Sequence, residues 1–374
     1  MNILIIGGGL QGLCCGYSLY GKGHVVDIVS NELQIVKSKY FHHVYNDVCN
    51  HNEDIFDVLK YKHYNVIIPM GDVNVSFLSK NKSKIEEEYG CRCACPDYET
   101  LSIVEDKHRF MSFCSENNIP HPQTFVLKDE TLLQCAEYVG FPALIKPDFS
   151  VGARGITKVN NITELKEKYQ TVVNNYGSCT LQEFIHNQDY YYNVMLYRNS
   201  QGHFLAYSII KIVRMYPINA GSSSCCISVE NDELLNICKD CLDKLNWVGI
   251  ADFDVLQRLD NNELKIIEIN PRVPASLKAA TISGVNIPEV ILKDLMGETI
   301  PQFIYKTGKV LRYMGLDIMW FLNSTKRFKC KPYWINFLGR DIYYQDIYID
   351  DYSTWWTWFV EGIKKLKKKN RRIR

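Results

Sequence analysis

Short apolar, β-branched runs alternate with helical stretches through the first hundred residues. NILIIG (2–7), HVVDIV (24–29) and YNVIIPMG (64–71) read as strands, and LQGLCCGYSLYGKG (10–23) and DIFDVLKYK (54–62) as the helices between them. Alternation of this kind is the βαβ pattern and predicts a parallel sheet. From Glu105 one long polar helix, EDKHRFMSFCSENN, is expected to run to the Pro-x-Pro of IPHPQ. Next come the strand FPALIKPD (141–148), a glycine-bearing loop, the strand GITKVN (155–160), the helix ITELKEKYQTVVNNY (162–176) and the strand TLQEFI (180–185). Between 190 and 275 the pattern is mostly of strands, YYYNVMLYR, FLAYSIIKIV, GIADFDVLQRL and ELKIIEINP, interrupted by one helix over 231–246. Beyond about 305 the chain is aromatic and irregular.

Composition narrows the class. The 374 residues are 46% hydrophobic and 23% charged, as in soluble globular proteins, and suffice for two or three domains. No apolar run reaches the ~18 residues of a membrane span, and MNILIIGGGLQG reads as a strand and not a leader. The net charge of +1 hides an asymmetry. Eight basic residues and no acid lie in Lys364–Arg374, so residues 1–363 sum to −7. An acidic body argues against nucleic acid as a partner. Fourteen cysteines without metal-ligand spacing read as reduced, small apolar residues, including the Cys238/Cys241 pair and Cys91, Cys93 and Cys95.

Gly7-Gly8-Gly9-Leu10-Gln11-Gly12 follows the first strand and matches G-x-G-x-x-G. A dinucleotide site would also need an acid about 20 residues on, a role that Asp27 or Glu32 fills only loosely, so a structural turn is the favoured reading. Richer chemistry lies downstream. Lys107 opens the long helix and Lys146 stands on a strand, a pairing suited to triphosphate. Asp148–Ile156 is a glycine loop between two strands, where a Walker loop would need a following helix. Leu181–Ile185 with Asp189 offers a strand end and a carboxylate to a nucleoside. Asp254 on one strand, with Glu268 and Asn270 on the next, forms a hairpin face of oxygen ligands suited to Mg²⁺.

Together Lys107, Lys146, the loop 149–156, QEFI with Asp189, and DVLQRL followed by IIEINPR resemble the ATP-grasp superfamily, in its carboxylate–amine ligase and carbamoyl-phosphate-synthase-like branch, over roughly residues 1–300. The resemblance implies an α/β fold with four parts. These are an N-terminal Rossmann-like domain (1–105), a small lid subdomain (106–190), a large antiparallel subdomain bearing the metal hairpin (191–305), and an extension with a basic tail (306–374). It implies ATP contacts from Lys107, Lys146, Ser150, Gly152, Ala153, Arg154, Gly155, Glu183, Phe184, Ile185 and Asp189. It implies Mg²⁺, with Mn²⁺ as a substitute, on Asp254, Glu268 and Asn270. Gly9, Gly71, Asp72 and Arg272 would meet the substrate, and Arg272, Lys146, Lys211 and Arg214 would serve catalysis. Gln182, Asp189 and Ala153 depart from the usual acid, glutamate and serine. The expected reaction joins a small carboxylate to an amine through an acyl phosphate, releasing ADP and phosphate. The alternatives are bicarbonate activation of the carbamoyl-phosphate type and a scaffold that binds ATP without turnover. The expected place is the cytoplasm. The basic tail, with Trp355, Trp356 and Trp358 before it, is either solvated or in peripheral contact with the inner membrane face. The identity of acid and amine and the oligomeric state stay open.

Overall fold

The computed structural model describes residues 1–46, 54–148, 155–218, 221–357 and 360. The N-terminal unit is a parallel five-stranded sheet of β1 (Asn2–Ile6), β2 (Val25–Val29), β3 (His43–Tyr45), β4 (Val66–Pro69) and β5 (Arg92–Cys93), in the order β3-β2-β1-β4-β5. β1 is central and buried, with Ile3, Leu4 and Ile5 excluded from solvent, as a strand covered on both faces requires. Because Ile6 pairs with Pro69, the turn after β1 and the turn after β4 lie side by side at the carboxyl ends of the strands. The short β3 has too few residues to show an alternating pattern.

The polar helix expected from Glu105 begins at Lys107, and a separate helix precedes it. Tyr98–Glu105 ends at Asp106, whose extended backbone (φ −97°, ψ 111°) breaks the run. Its carboxylate then caps Lys107–Glu116 by accepting from the Arg109 amide at 3.0 Å. A four-stranded sheet follows, of β6 (Thr124–Val126), β7 (Ala143–Pro147), β8 (Thr157–Val159) and β9 (Cys179–Glu183), in the order β6-β9-β7-β8. The helices Leu132–Val139 and Ile162–Tyr176 pack on it and close a separate small core around Ile145, Leu165 and Leu181.

The largest sheet has seven strands: β10 (Tyr191–Arg198), β11 (Phe204–Tyr216), β12 (Ser222–Ser228), β13 (Gly249–Gln257), β14 (Leu264–Asn270), β15 (Val310–Arg312) and β16 (Ile342–Tyr344). Their order is β14-β13-β10-β11-β12-β15-β16. One face shares its core with the N-terminal unit, Phe253 and Trp247 packing in the same cluster as Ile67 and Cys93. The helix Asp232–Lys244, capped by Asn231, buries Leu234, Leu235, Cys238, Cys241 and Leu242. The C-x-x-C spacing is therefore the spacing of an apolar helix face. All thirteen described cysteines are free and all but Cys330 are buried.

The chain beyond 305 is more regular than its sequence suggests. β15 and β16 extend the large sheet, the helix Met314–Asn323 covers it, and residues 346–357 run back over the N-terminal unit. There Asp351 accepts from the Ser38 hydroxyl at 2.7 Å, and Asp350 accepts from the Tyr40 hydroxyl at 2.6 Å. No helix among the described residues is long and apolar enough to cross a membrane. The basic tail and Trp358 lie outside the described residues.

Candidate active site

The register of β13 and β14 sets Asp252 opposite Asn270 and Asp254 opposite Glu268, with a bulge between Asp254 and Val255. Positions two apart share a face, so four oxygen-bearing side chains line one wall. β10 adds Asn193, whose amide donates to Asp254 Oδ1 at 3.0 Å and to the Phe253 carbonyl at 3.3 Å. Burial pushes the Asp254 carboxyl well above its ordinary range, and the adjacent charges of Glu268 and Asp252 push it further. Burial likewise raises Asp252 to about 7, against the pull of Asn193 and Arg272. Asp252 Oδ1 is buried without a hydrogen-bond partner. Carboxylates crowded in this way call for a cation. Among the described residues no group of three or more His, Cys, Asp or Glu side chains is arranged to hold a metal by itself. Of the wall's three carboxylates, Asp254 and Glu268, with the Asn270 amide oxygen, make up the candidate metal set. That donor set fits Mg²⁺, which takes one or two carboxylates and completes its shell with phosphate and water.

Lys146 enters from the other sheet. It is buried on β7, and burial lowers its pKa to about 8; the Glu268 carboxylate opposes that shift, and the Lys107 ammonium adds to it. Lys146 of the four-stranded sheet is thus within electrostatic reach of Glu268 on the seven-stranded sheet and of Lys107 at the start of its helix. Burial also raises Asp148, one residue past β7, and its Oδ1 has no partner.

At the end of β9, the Glu183 carboxylate is held by Arg258 and by the Gln123 amide at 3.2 Å. Lys158 Nζ sits 3.6 Å from the Phe184 ring centroid, and Ile185 is buried. Asp189 is exposed and pairs with Lys326 of the C-terminal extension. Gly155 takes a positive φ of 76°. Ser150, Gly152, Ala153 and Arg154 of the expected lid lie outside the described residues.

Two residues expected to serve catalysis are not brought to this wall. Lys211 pairs with Tyr192, one position out of phase with Asn193, and so stands on the opposite face of the sheet. Its ammonium lies 3.4 Å from the Tyr190 ring centroid. Arg214 is 1% exposed and binds Asp317 through Nε at 2.6 Å and Nη2 at 2.9 Å. Arg312 binds the same carboxylate, so two arginines share one buried acid. Arg214 is a strut between β11 and the extension. Its sequence gave no sign of this, because Asp317 lies 103 residues away.

At the N-terminal turn a carboxylate of the chain itself meets the helix end. The Gly9 amide, at the start of the helix Gly9–Leu19, donates to Glu32 Oε1 at 2.8 Å, so the chain's own carboxylate takes the place of a phosphate. A Cβ on Gly8 would stand 2.8 Å from that oxygen. Asp27 is buried and bonded by Lys62 at 2.7 Å and the Tyr64 hydroxyl at 2.6 Å, so it is not a ribose ligand. Across the crevice, Gly71 (φ 90°) precedes the helix Asp72–Lys80. Asp72 accepts from Arg272 Nε at 2.8 Å, while Arg272 Nη2 donates to Asn270 Oδ1 at 3.3 Å. Arg272 therefore joins the hairpin to the N-terminal crevice. Sequence reasoning passed over Asp252 and Asn193, and weighed Glu32 only as a loosely placed ribose acid. Only Asp252 left a signal, standing two residues before Asp254 on the same strand face.

Comparison with known proteins agrees with this geometry. The chain is 23% identical over 306 residues to D-aspartate ligase of Enterococcus faecium, covering 75% of this chain and 72% of that protein. It is 23% identical over 234 residues to the C-terminal section of the carbamoyl phosphate synthase large chain of Methanopyrus kandleri, covering 59% of this chain. It spans only 42% of the length of that second relative. The fold superposes on a biotin carboxylase-beta-gamma-ATP complex from Campylobacter jejuni with a TM-score of 0.70 at 17% identity, over 83% of this chain and 74% of the other. The ATP-grasp domain family matches residues 104–276, the segment running from the Lys107 helix through the hairpin of β13 and β14 to Arg272. Residues 104–276 of the chain are therefore an ATP-grasp domain.

Proposed function

We propose that the chain is an ATP-dependent carbon–nitrogen ligase that activates a small carboxylate, an amino acid, and joins it to an amine. The observation that carries this reading is the placement of Lys146 on one sheet against the Asp254–Glu268 pair on the other. A buried ammonium thus stands within electrostatic reach of Glu268, a pairing of charges suited to a triphosphate and a divalent cation. D-aspartate ligase, matched over most of both chains, supports the choice of an amino acid.

In this reading Lys107 and Lys146 neutralise the ATP phosphates, residues 150–155 close over them, and Glu183–Ile185 hold the adenine edge, with Asp189 towards the ribose. Asp254, Glu268 and Asn270 hold Mg²⁺, which offsets phosphate charge when bound. A substrate carboxylate oxygen attacks the γ-phosphorus, the β–γ bridging P–O bond breaks, and ADP leaves. Arg272, poised between Asn270 and Asp72, meets the acyl phosphate with its remaining N–H groups. The amine nitrogen then attacks the acyl carbon, phosphate departs and the nitrogen loses a proton. The carboxylate lies in the crevice near Gly9, Gly71 and Asp72, at the carboxyl ends of β1 and β4. The four divisions at 105, 190 and 305 describe the working parts, with β15 and β16 of the last completing the third.

The carbamoyl phosphate synthase relative favours a second reading, in which bicarbonate is the carboxylate. Measuring ADP release over a panel of amino acids and amines, with and without bicarbonate, decides between them. Release that needs an amino acid supports the first reading, release with bicarbonate alone supports the second, and Mg-ATP binding without release under any condition leaves a scaffold.

A further inference from the structure

The segment from Ile318 to Arg340 carries five basic residues, Lys326, Arg327, Lys329, Lys331 and Arg340, and no acid. In a body that is otherwise acidic, this is a local reversal of sign. The same segment leaves large apolar side chains in water: Leu338 is 92% exposed, Phe328 74%, Ile335 69% and Leu322 61%. Single exposed apolar residues are ordinary, but a group of them on one surface marks an interaction site. Ring contacts make the surface one. Phe321 meets Phe328 edge-on at 5.6 Å and stacks on Trp334 at 4.0 Å, and Trp334 meets Phe337 at 4.9 Å. Leu322, Ile335 and Leu338 adjoin these rings in sequence. The platform is anchored from beneath, since Arg312 donates to the Trp334 and Asn336 carbonyls and Arg214 to the Pro332 carbonyl.

We propose that this surface docks the protein on an anionic lipid membrane. Cationic and apolar side chains alternate across it, the pattern of an interfacial segment whose apolar residues enter the acyl boundary while lysines and arginines stay at the headgroups. The Arg327 guanidinium lies 5.9 and 6.0 Å from the Phe321 and Phe328 ring centroids, so charge and apolar surface coincide. A second copy meeting the same surface about a two-fold axis would set like charges against each other. The eight basic residues of 364–374 add charge of the same sign.

Co-sedimentation of the full chain with vesicles tests this, using phosphatidylcholine alone and phosphatidylcholine mixed with phosphatidylglycerol. The protein is expected to pellet with the mixed vesicles only, and to be released by salt. Two variants separate the contributions: Phe328→Ser with Leu338→Ser keeps the charge, and Lys329→Glu with Lys331→Glu keeps the apolar residues. Each should weaken binding at least about tenfold, with far-ultraviolet circular dichroism and ADP release unchanged. Equal binding by both variants and wild type would assign the membrane contact to the tail alone and overturn the proposal. So would no binding to mixed vesicles, whether the surface instead captured an acidic protein or self-associated on gel filtration.

Discussion

Arg272 Nε donates to Asp72 Oδ1 at 2.8 Å, linking the end of the metal hairpin to the first residue of a helix 200 positions earlier. Both partners are only partly buried, so the bond positions the guanidinium while leaving it accessible. Arg272→Lys keeps the charge and loses the fork geometry. It should lower kcat/KM for the acid by about 10–100-fold with little change in ATP affinity. Separate measurement of the two constants checks this, and a variant that lost ATP binding alone would move Arg272 to the nucleotide site.

The Glu268 charge raises the Asp254 pKa, so removing Glu268 relieves that repulsion and, in the proposed site, takes away a metal ligand. Glu268→Ala is expected to abolish Mg²⁺-dependent ADP release without lowering the melting temperature. Wild-type turnover in this variant would contradict the assignment.

Mg-ATP should stabilise the protein by about 2.7 kcal/mol at 100 times its Kd, and NAD should not, because Glu32 occupies the helix end that a pyrophosphate would need. Thermal shift with each nucleotide measures this. A shift with NAD and none with Mg-ATP would reverse the assignment.

The buried cluster of Arg214, Arg312 and Asp317 gives an unequal pair of variants. Arg214→Met leaves a neutral Arg312–Asp317 pair, whereas Asp317→Asn leaves two buried cations without a counter-charge. The second should cost more, about 3–5 kcal/mol in denaturant unfolding. Arg214→Met that still folds should retain its kcat.

Lys278 is buried and donates to the Tyr344 and Ile347 carbonyls at 2.6 and 2.7 Å; burial lowers its pKa to about 8. Between pH 8 and the ordinary lysine value near 10.5 the unfolded chain holds the extra proton, so stability rises with pH there. Wild type should gain up to about 3 kcal/mol relative to Lys278→Met across that window. Equal pH slopes in urea titrations of the two proteins would refute the shift.

The parallel sheet, the small sheet and the hairpin of β13 and β14 were legible because their signals are local. Asp254, Glu268 and Asn270 stand out as polar positions among apolar neighbours, and strand periodicity fixes their face. Asp252 shares that face but reads as one more charge on a strand until the register is known. The start of the helix at Lys107 was placed two residues early because Asp is tolerated within a polar helix as well as at a cap. β12 is written SSSCCIS, with little strand character, and gains its place from two neighbours. Lys211 was misjudged by one position in a twisted, bulged strand. Arg214 and Glu32 were misjudged because their partners are set by folding and not by spacing.

The last described stretch of the chain rests on the first. Ser38 waits for Asp351, 313 residues later, and Tyr348 completes the packing beside Tyr17 and Tyr40. On a ribosome moving at roughly 5–20 residues per second, the N-terminal sheet emerges about 15–60 s before the residues that cover it. Throughout that interval a tyrosine-rich surface faces the surrounding solution. Shortening the chain before residue 346 would leave that surface uncovered.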